Sequence, residues 1–110
     1  MIQKERMLGG YPYRADDQLL SSERTKVRKL IKKYNASLPS KIRKRTNLLN
    51  KILGKCGNKC IIHPPFYCDY GYNIEVGENF FANYNCILLD INKITIGKNV
   101  MLAPNVIITT

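Results

Sequence analysis

The sequence predicts a mainly β protein: a triangular solenoid of short parallel strands with an α-helical cover at its N-terminal end. Residues 74–87 and 94–107 repeat one another at an offset of 20 residues, and within each copy aliphatic or small residues recur every six positions. A six-residue period fits neither one face of a helix nor the alternation of a single strand, so it indicates a solenoid. The N-terminal half has helical periodicity instead, which predicts the cover.

Residues 1–55 are predicted to form this cover. Residues 2–8 predict a short amphipathic helix that ends at Gly9-Gly10. Ser21 or Ser22 is expected to cap a second helix that runs to about Asn35, and Ser40 a third helix that ends at Gly54. Their apolar faces are Val27, Leu30, Ile31 and Tyr34, and then Ile42, Leu49, Ile52 and Leu53. Without such a cover the first coil would expose unpaired backbone groups.

Residues 56–110 are predicted to form the first coils of the solenoid. The inward positions follow one another in steps of six or eight residues: Ile62, Cys68, Val76, Ala82, Leu88, Ile96, Leu102 and Ile108. The two steps of eight lie 20 residues apart, so the same corner is expected to carry a two-residue bulge in successive coils. Residue types that tolerate left-handed backbone are expected at the corners: Gly77, Gly97, Asn79, Asn85, Asn99 and Asn105. The alternative is an antiparallel meander with Gly-Asn turns.

Composition narrows the class of protein. No apolar run approaches the length that spans a bilayer, and the first residues lack the apolar core of a signal peptide, which favours the cytoplasm. The four cysteines fit a reducing compartment, and Cys68 and Cys86 fall on core positions of the repeat. Cys56 and Cys60 are followed by no partner pair at zinc spacing, so neither a metal site nor a disulfide is expected.

The positive charge is concentrated in the cover. The formal net charge of the chain is +10. Of its 18 Lys and Arg residues, 13 lie between Arg24 and Lys59, where no acidic residue occurs. Such a patch could bind nucleic acid or an anionic membrane. The simpler interpretation is a solvated helix face, so neither a membrane nor a nucleic acid is the expected partner.

Several segments resemble the maltose and galactoside O-acetyltransferases, a family of hexapeptide-repeat acyltransferases, and the likeness spans essentially the whole chain. The most specific are Asp69-Tyr70-Gly71-Tyr72-Asn73, Asn79-Phe80-Phe81-Ala82-Asn83 and Ala103-Pro104-Asn105-Val106. The resemblance implies a left-handed parallel β-helix that transfers an acetyl group from acetyl-CoA to a sugar hydroxyl. It also implies a homotrimer whose active sites lie between neighbouring subunits.

The resemblance implies five sugar-contacting residues: Asp69, Asn83, Asp17, Arg24 and Asp90. Asp69 would accept hydrogen bonds from sugar hydroxyls, and the Asn83 amide can both donate and accept beside the reacting oxygen. Which of Asp16 and Asp17 faces the cleft is open. Aromatic residues could give the sugar ring a flat apolar wall, and the candidates are Phe81, Tyr70 and Tyr84.

The catalytic residue is expected outside these 110 residues, because continuing the family's register puts its histidine shortly beyond Thr110. This histidine would act as the general base, a role that suits a pKa near neutrality. His63 is expected to be an edge residue of the first coil. The 110 residues alone are therefore expected to be inactive and to lack the later coils that bind most of the acyl donor. The chain would be part of a longer enzyme, an inactive truncated product that acts as a binding or assembly module for anionic polymers, or half of a site completed by another chain.

Overall fold

The computed structural model describes all 110 residues and contains three α-helices followed by nine short β-strands. The helices are α1 (Gln3–Leu8), α2 (Gln18–Asn35) and α3 (Ile42–Ile52). The strands are β1 (Lys55–Cys56), β2 (Ile61–Ile62), β3 (Phe66–Cys68), β4 (Ile74–Val76), β5 (Phe81–Ala82), β6 (Cys86–Leu89), β7 (Ile94–Ile96), β8 (Met101–Leu102) and β9 (Ile107–Thr109). None of the helices has the length and hydropathy that crossing a bilayer requires.

The strands form the three sides of a solenoid. Each side is a three-stranded sheet with one strand from each coil, in the orders β1-β4-β7, β2-β5-β8 and β3-β6-β9. All pairs are parallel, and paired residues are 20 positions apart, as in Ile74 with Ile94 and Phe66 with Cys86. The predicted triangular coil of 20 residues is therefore confirmed, and the antiparallel meander is excluded.

The cover and the coils share one hydrophobic core. Sixteen buried residues form a continuous cluster, which includes Val27 and Ile31 from α2, Leu49 from α3, and Val76 and Leu88 from the coils. The later inward positions of the repeat are partly buried and pack against the same cluster: Ile96, Leu102 and Ile108. Full burial of one aliphatic side chain contributes about 1.5–3 kcal/mol, so this cluster is the main source of stability.

Both predicted helix caps are wrong. The cap of α2 is Asp17, whose carboxylate accepts a hydrogen bond from the Leu20 N–H at 3.2 Å. Because this acceptor comes earlier than either predicted serine, the helix begins at Gln18. The N-cap of α3 is Lys41 rather than Ser40, and its side chain makes no capping bond. Ile42, predicted to face the core, is 73% exposed at the first position of α3, and Leu48 is buried instead.

The corner asparagines behave as predicted, but the glycines do not. Asn79, Asn85, Asn99 and Asn105 all have positive φ angles, between 58° and 64°. Gly77 does not have a positive φ angle, so the lack of a side chain at this position has another explanation. A Cβ atom at Gly77 would lie 2.7 Å from the backbone carbonyl carbon of Gly97 in the next coil. Gly77 is therefore required by the close stacking of two backbones, not by a left-handed turn.

Candidate functional site

The corner that follows β3 lies beneath the cover helices. It comprises residues 69–73 and is one of the two places where the coil carries two extra residues. Arg24 of α2 donates from Nη1 to the Tyr70 hydroxyl and from Nη2 to the Ala15 carbonyl oxygen, both at 2.7 Å. Arg24 therefore ties the loop before α2 to this corner. Its guanidinium is engaged by protein groups on two sides.

Asp90 holds the same corner from inside the solenoid. Its Oδ1 accepts the backbone N–H groups of Asp69 and Tyr70, both at 3.0 Å, and its Oδ2 accepts that of Asn73 at 3.2 Å. The Asn73 amide donates back to the Asp90 carbonyl oxygen at 2.9 Å. Burial raises the pKa of Asp90, and the backbone N–H donors oppose this shift. Asp90 is fully buried, so it fixes the corner and is not accessible to a sugar.

Asp69 is the accessible carboxylate of this corner. Its side chain is partly exposed, and the hydrogen bond to Asp90 uses the Asp69 backbone N–H rather than its carboxylate. Burial raises the pKa of Asp69 above its usual value, and the positive charges of Arg24 and Arg28 oppose the shift. Arg28 lies one helical turn after Arg24, and it was not identified from the sequence as a candidate site residue. The i, i+4 spacing of the two arginines on one predicted helix was the signal that could have found it.

The neighbouring acidic residues Asp16 and Asp17 have different environments. Asp17 caps α2, as described above. Asp16 is exposed and accepts two hydrogen bonds from Arg14 at 3.3 Å. This interaction lowers the pKa of Asp16, because the carboxylate accepts a hydrogen bond from the guanidinium and faces its charge. Asp17 is thus fixed at the start of α2, where one of its oxygens is occupied by the helix.

Asn83 lies on a different side of the solenoid. It follows β5, in the sheet β2-β5-β8, whereas Asp69 follows β3 in the sheet β3-β6-β9. Its Oδ1 accepts the Tyr84 N–H at 2.8 Å, and its backbone N–H donates to the Leu102 carbonyl oxygen at 3.0 Å. The structure therefore gathers Arg24, Asp69 and Asp90 around one corner. Asp17 lies at the start of α2, and Asn83 is not brought to that corner within one chain.

The aromatic residues do not form one continuous wall. The His63 ring lies 5.2 Å from the Phe81 ring and 5.1 Å from the Tyr84 ring, measured between centroids, beside Asn83. Tyr70 is instead buried, 5.4 Å from the Tyr72 ring and under the Arg24 guanidinium. Tyr70 therefore does not join Phe81 and Tyr84 within one chain, since its hydroxyl accepts a hydrogen bond from Arg24 of α2.

Known proteins are similar to this chain in sequence and in fold. A family model described as the maltose acetyltransferase hexapeptide capping motif matches residues 6–57. A crystal structure of a maltose O-acetyltransferase from Clostridium difficile 630 is 51% identical, with a TM-score of 0.98 over 100% of this chain and 59% of that chain. A galactoside acetyltransferase in complex with coenzyme A is 36% identical, with a TM-score of 0.92 over 97% of this chain and 54% of that chain.

A relative from Rhizobium meliloti, nodulation protein L, is 38% identical over 108 residues, which are 98% of this chain and 59% of the relative. The chain thus spans somewhat more than half the length of these proteins. The fold and the repeat define a left-handed β-helix of the hexapeptide-repeat acetyltransferase class, which confirms the predicted fold. Within that class, the chain belongs to the maltose and galactoside O-acetyltransferase family.

Proposed function

We propose that this chain forms the acceptor-binding part of an O-acetyltransferase that transfers an acetyl group from acetyl-CoA to a sugar hydroxyl. The observation that carries the proposal is the corner of residues 69–73, where an accessible carboxylate is held rigidly by Asp90 and Arg24. The whole-chain similarity to a maltose O-acetyltransferase and to an acetyltransferase bound to coenzyme A supports the same reaction. The free cysteines fit a reducing, cytoplasmic setting.

The proposed reaction forms an ester at the sugar oxygen. The hydroxyl oxygen attacks the thioester carbonyl carbon of acetyl-CoA, the carbon–sulfur bond breaks, and the hydroxyl proton ends on the released thiol. Asp69 would accept a hydrogen bond from a neighbouring sugar hydroxyl and orient the ring, and Asn83 would hydrogen bond beside the reacting oxygen. The general base in this proposal is the histidine that the family resemblance leads us to expect shortly beyond Thr110.

We also propose that the active unit is a homotrimer with the sugar cleft between copies. Asp69 and Asn83 lie at different corners of the coil, after β3 and after β5, and a cleft between neighbouring chains would bring one residue from each chain together. The outer faces of the sheets that contain β5 and β3 are apolar, with Ile61, Met101 and Ile107 exposed. The outward positions of the third sheet are polar: Lys55 and Thr95 are exposed and Glu75 is half-buried. Two apolar faces beside one polar face are what a closed three-fold contact requires.

The test is acetyl-CoA turnover with maltose, glucose and a methyl galactoside. It is run on the 110-residue chain and on any longer reading of its gene. We expect the active form to lose about tenfold or more in kcat/KM on Asn83→Ala, because a hydrogen bond at the reacting oxygen is removed. Asn58→Ala, at an exposed corner of the first coil, is the matched control and should retain full activity.

Sedimentation equilibrium of the same variants checks that the trimer is intact. An unchanged rate for Asn83→Ala would remove Asn83 from the site. No turnover by any form, together with salt-sensitive binding to DNA, would favour the alternative of a binding module that uses the basic helices.

A further inference from the structure

A groove beside the proposed acceptor site carries two positively charged side chains that form no ion pair. It lies between α2 and β3, has a volume of about 570 Å³, and is lined by seven residues that include Arg28, Lys32, Tyr67 and Cys68. Cys68 immediately precedes Asp69 in the chain. The groove therefore continues from the corner that carries Asp69 along the outside of the same sheet.

Arg28 and Lys32 form one wall of this groove. They are one helical turn apart on α2, so their side chains lie on the same face of the helix. Both are exposed, and neither takes part in the two ion pairs of the structure. The positive charge of Arg28 acts on Asp69, where it opposes the rise in pKa that burial causes. A guanidinium and an ammonium group one turn apart suit a doubly charged anion such as a phosphate ester.

Tyr67 forms part of the opposite wall, and the groove between the two walls is fixed in width. The Tyr67 side chain is 48% exposed, so an aromatic face is available to pack against the apolar face of a sugar ring. Asn35 joins α2 to β3, because its amide donates to the Phe66 carbonyl oxygen at 3.1 Å and accepts the Phe66 N–H at 2.9 Å. These two bonds hold the helix at a constant distance from the sheet.

We propose that this groove binds the phosphate of a phosphorylated saccharide, so that the preferred acceptor is an acidic rather than a neutral sugar. One ring would lie against Tyr67, its phosphate would bind Arg28 and Lys32, and the hydroxyl to be acetylated would lie toward Asp69. This inference rests on the proposed acetyltransferase function and adds the substrate class. The groove is a specificity site and takes no part in the bond-making step.

The test compares the affinities of maltose, maltose 1-phosphate and inorganic phosphate by titration calorimetry. It uses the 110-residue chain or its longer reading, whichever sedimentation equilibrium shows to be the assembled form. We expect maltose 1-phosphate to bind about tenfold more tightly than maltose, because charge-assisted hydrogen bonds form at a partly desolvated site. The double variant R28Q/K32Q should abolish this preference and leave the affinity for maltose unchanged. The matched control K29Q/K33Q removes the same charge at the same spacing on α2, outside the groove, and should retain the preference.

The outcomes separate failure of the phosphate-binding groove from failure of the proposed acetyltransferase function. Equal affinities for the two sugars, or a preference that survives R28Q/K32Q, would overturn this inference and leave the acetyltransferase proposal standing. Inorganic phosphate or single-stranded DNA binding as tightly as maltose 1-phosphate would also overturn it, since the groove would then be a general anion site. Failure of both sugars to bind would refute this inference together with the proposed sugar acceptor.

Discussion

Removal of the Asp90 carboxylate should destabilise the whole chain and loosen the corner that carries Asp69. In Asp90→Ala, three backbone N–H groups lose their acceptor: those of Asp69, Tyr70 and Asn73. Tyr70 and Asn73 are 4% and 5% exposed, so solvent cannot readily replace the lost bonds. The corner would then keep its covalent path but lose the group that determines its shape.

The expected magnitude follows from the number of buried donors left without a partner. Each of the two buried N–H groups costs about 1–3 kcal/mol when its acceptor is removed. Relief of the cost of burying a carboxylate, and entry of a water molecule, offset part of this sum. We therefore expect a net loss of about 2–4 kcal/mol in the free energy of unfolding. Asp90→Asn keeps one acceptor oxygen for Asp69 and Tyr70 and should lose about half as much.

Urea unfolding measures the loss, and amide hydrogen exchange at Tyr70 and Asn73 reports on the corner itself. Exchange at both amides should accelerate more than exchange at Ile62, which belongs to the core. Asp16→Ala is the control, because Asp16 is exposed and bonds only Arg14; its urea midpoint should match that of the parent chain. A change below about 0.5 kcal/mol for Asp90→Ala, with unaltered exchange at Tyr70 and Asn73, would refute the anchoring role.

Two further predictions concern stacking between coils and the charge around Asp69. Gly77→Ala should lower the free energy of unfolding by about 1–3 kcal/mol, because the new Cβ atom would overlap the Gly97 backbone. Gly97→Ala meets no atom within 4 Å and is the control; equal urea midpoints for the two variants would contradict the stacking explanation. By NMR titration, the pKa of the Asp69 carboxyl should lie above 3.8, because burial raises it. Since Arg28 opposes that shift, Arg28→Gln should raise the pKa further, and the ionised form should then be lost at a higher pH as the solution is acidified. A value unaffected by Arg28→Gln would show that the two groups are not coupled.

The repeat itself was predictable because it depends on side-chain size at regular intervals. Inward positions such as Val76 and Leu88 must fill the interior of successive coils, and corner residues such as Asn79 must tolerate a positive φ angle. Both requirements leave a periodic signal in one sequence. The 20-residue register between coils followed directly from that signal.

The candidate site was less predictable because its decisive contacts join residues that are distant in sequence. The family resemblance implied that Asp90 contacts the sugar, but not that it would bond the backbone of residues 69–73 in the preceding coil. The start of α2 was predicted wrongly for a related reason, since Asp17 and Ser21 are both good N-caps in isolation. The fold selects between them according to which acceptor meets a free N–H group, and that choice depends on tertiary packing.

The constant 20-residue spacing determines which changes of length this chain can accept. Every strand pairs with residues exactly one coil earlier or later, so deletion or duplication of a complete coil would restore all pairings beyond the joint. An insertion of one residue within a strand would instead reverse which of the following side chains in that strand face the interior. Gradual lengthening is therefore possible only at the corners, and the extra residues around Asp69 and Asp90 occupy such a corner. Modular growth by whole turns is the evolutionary route that this geometry favours.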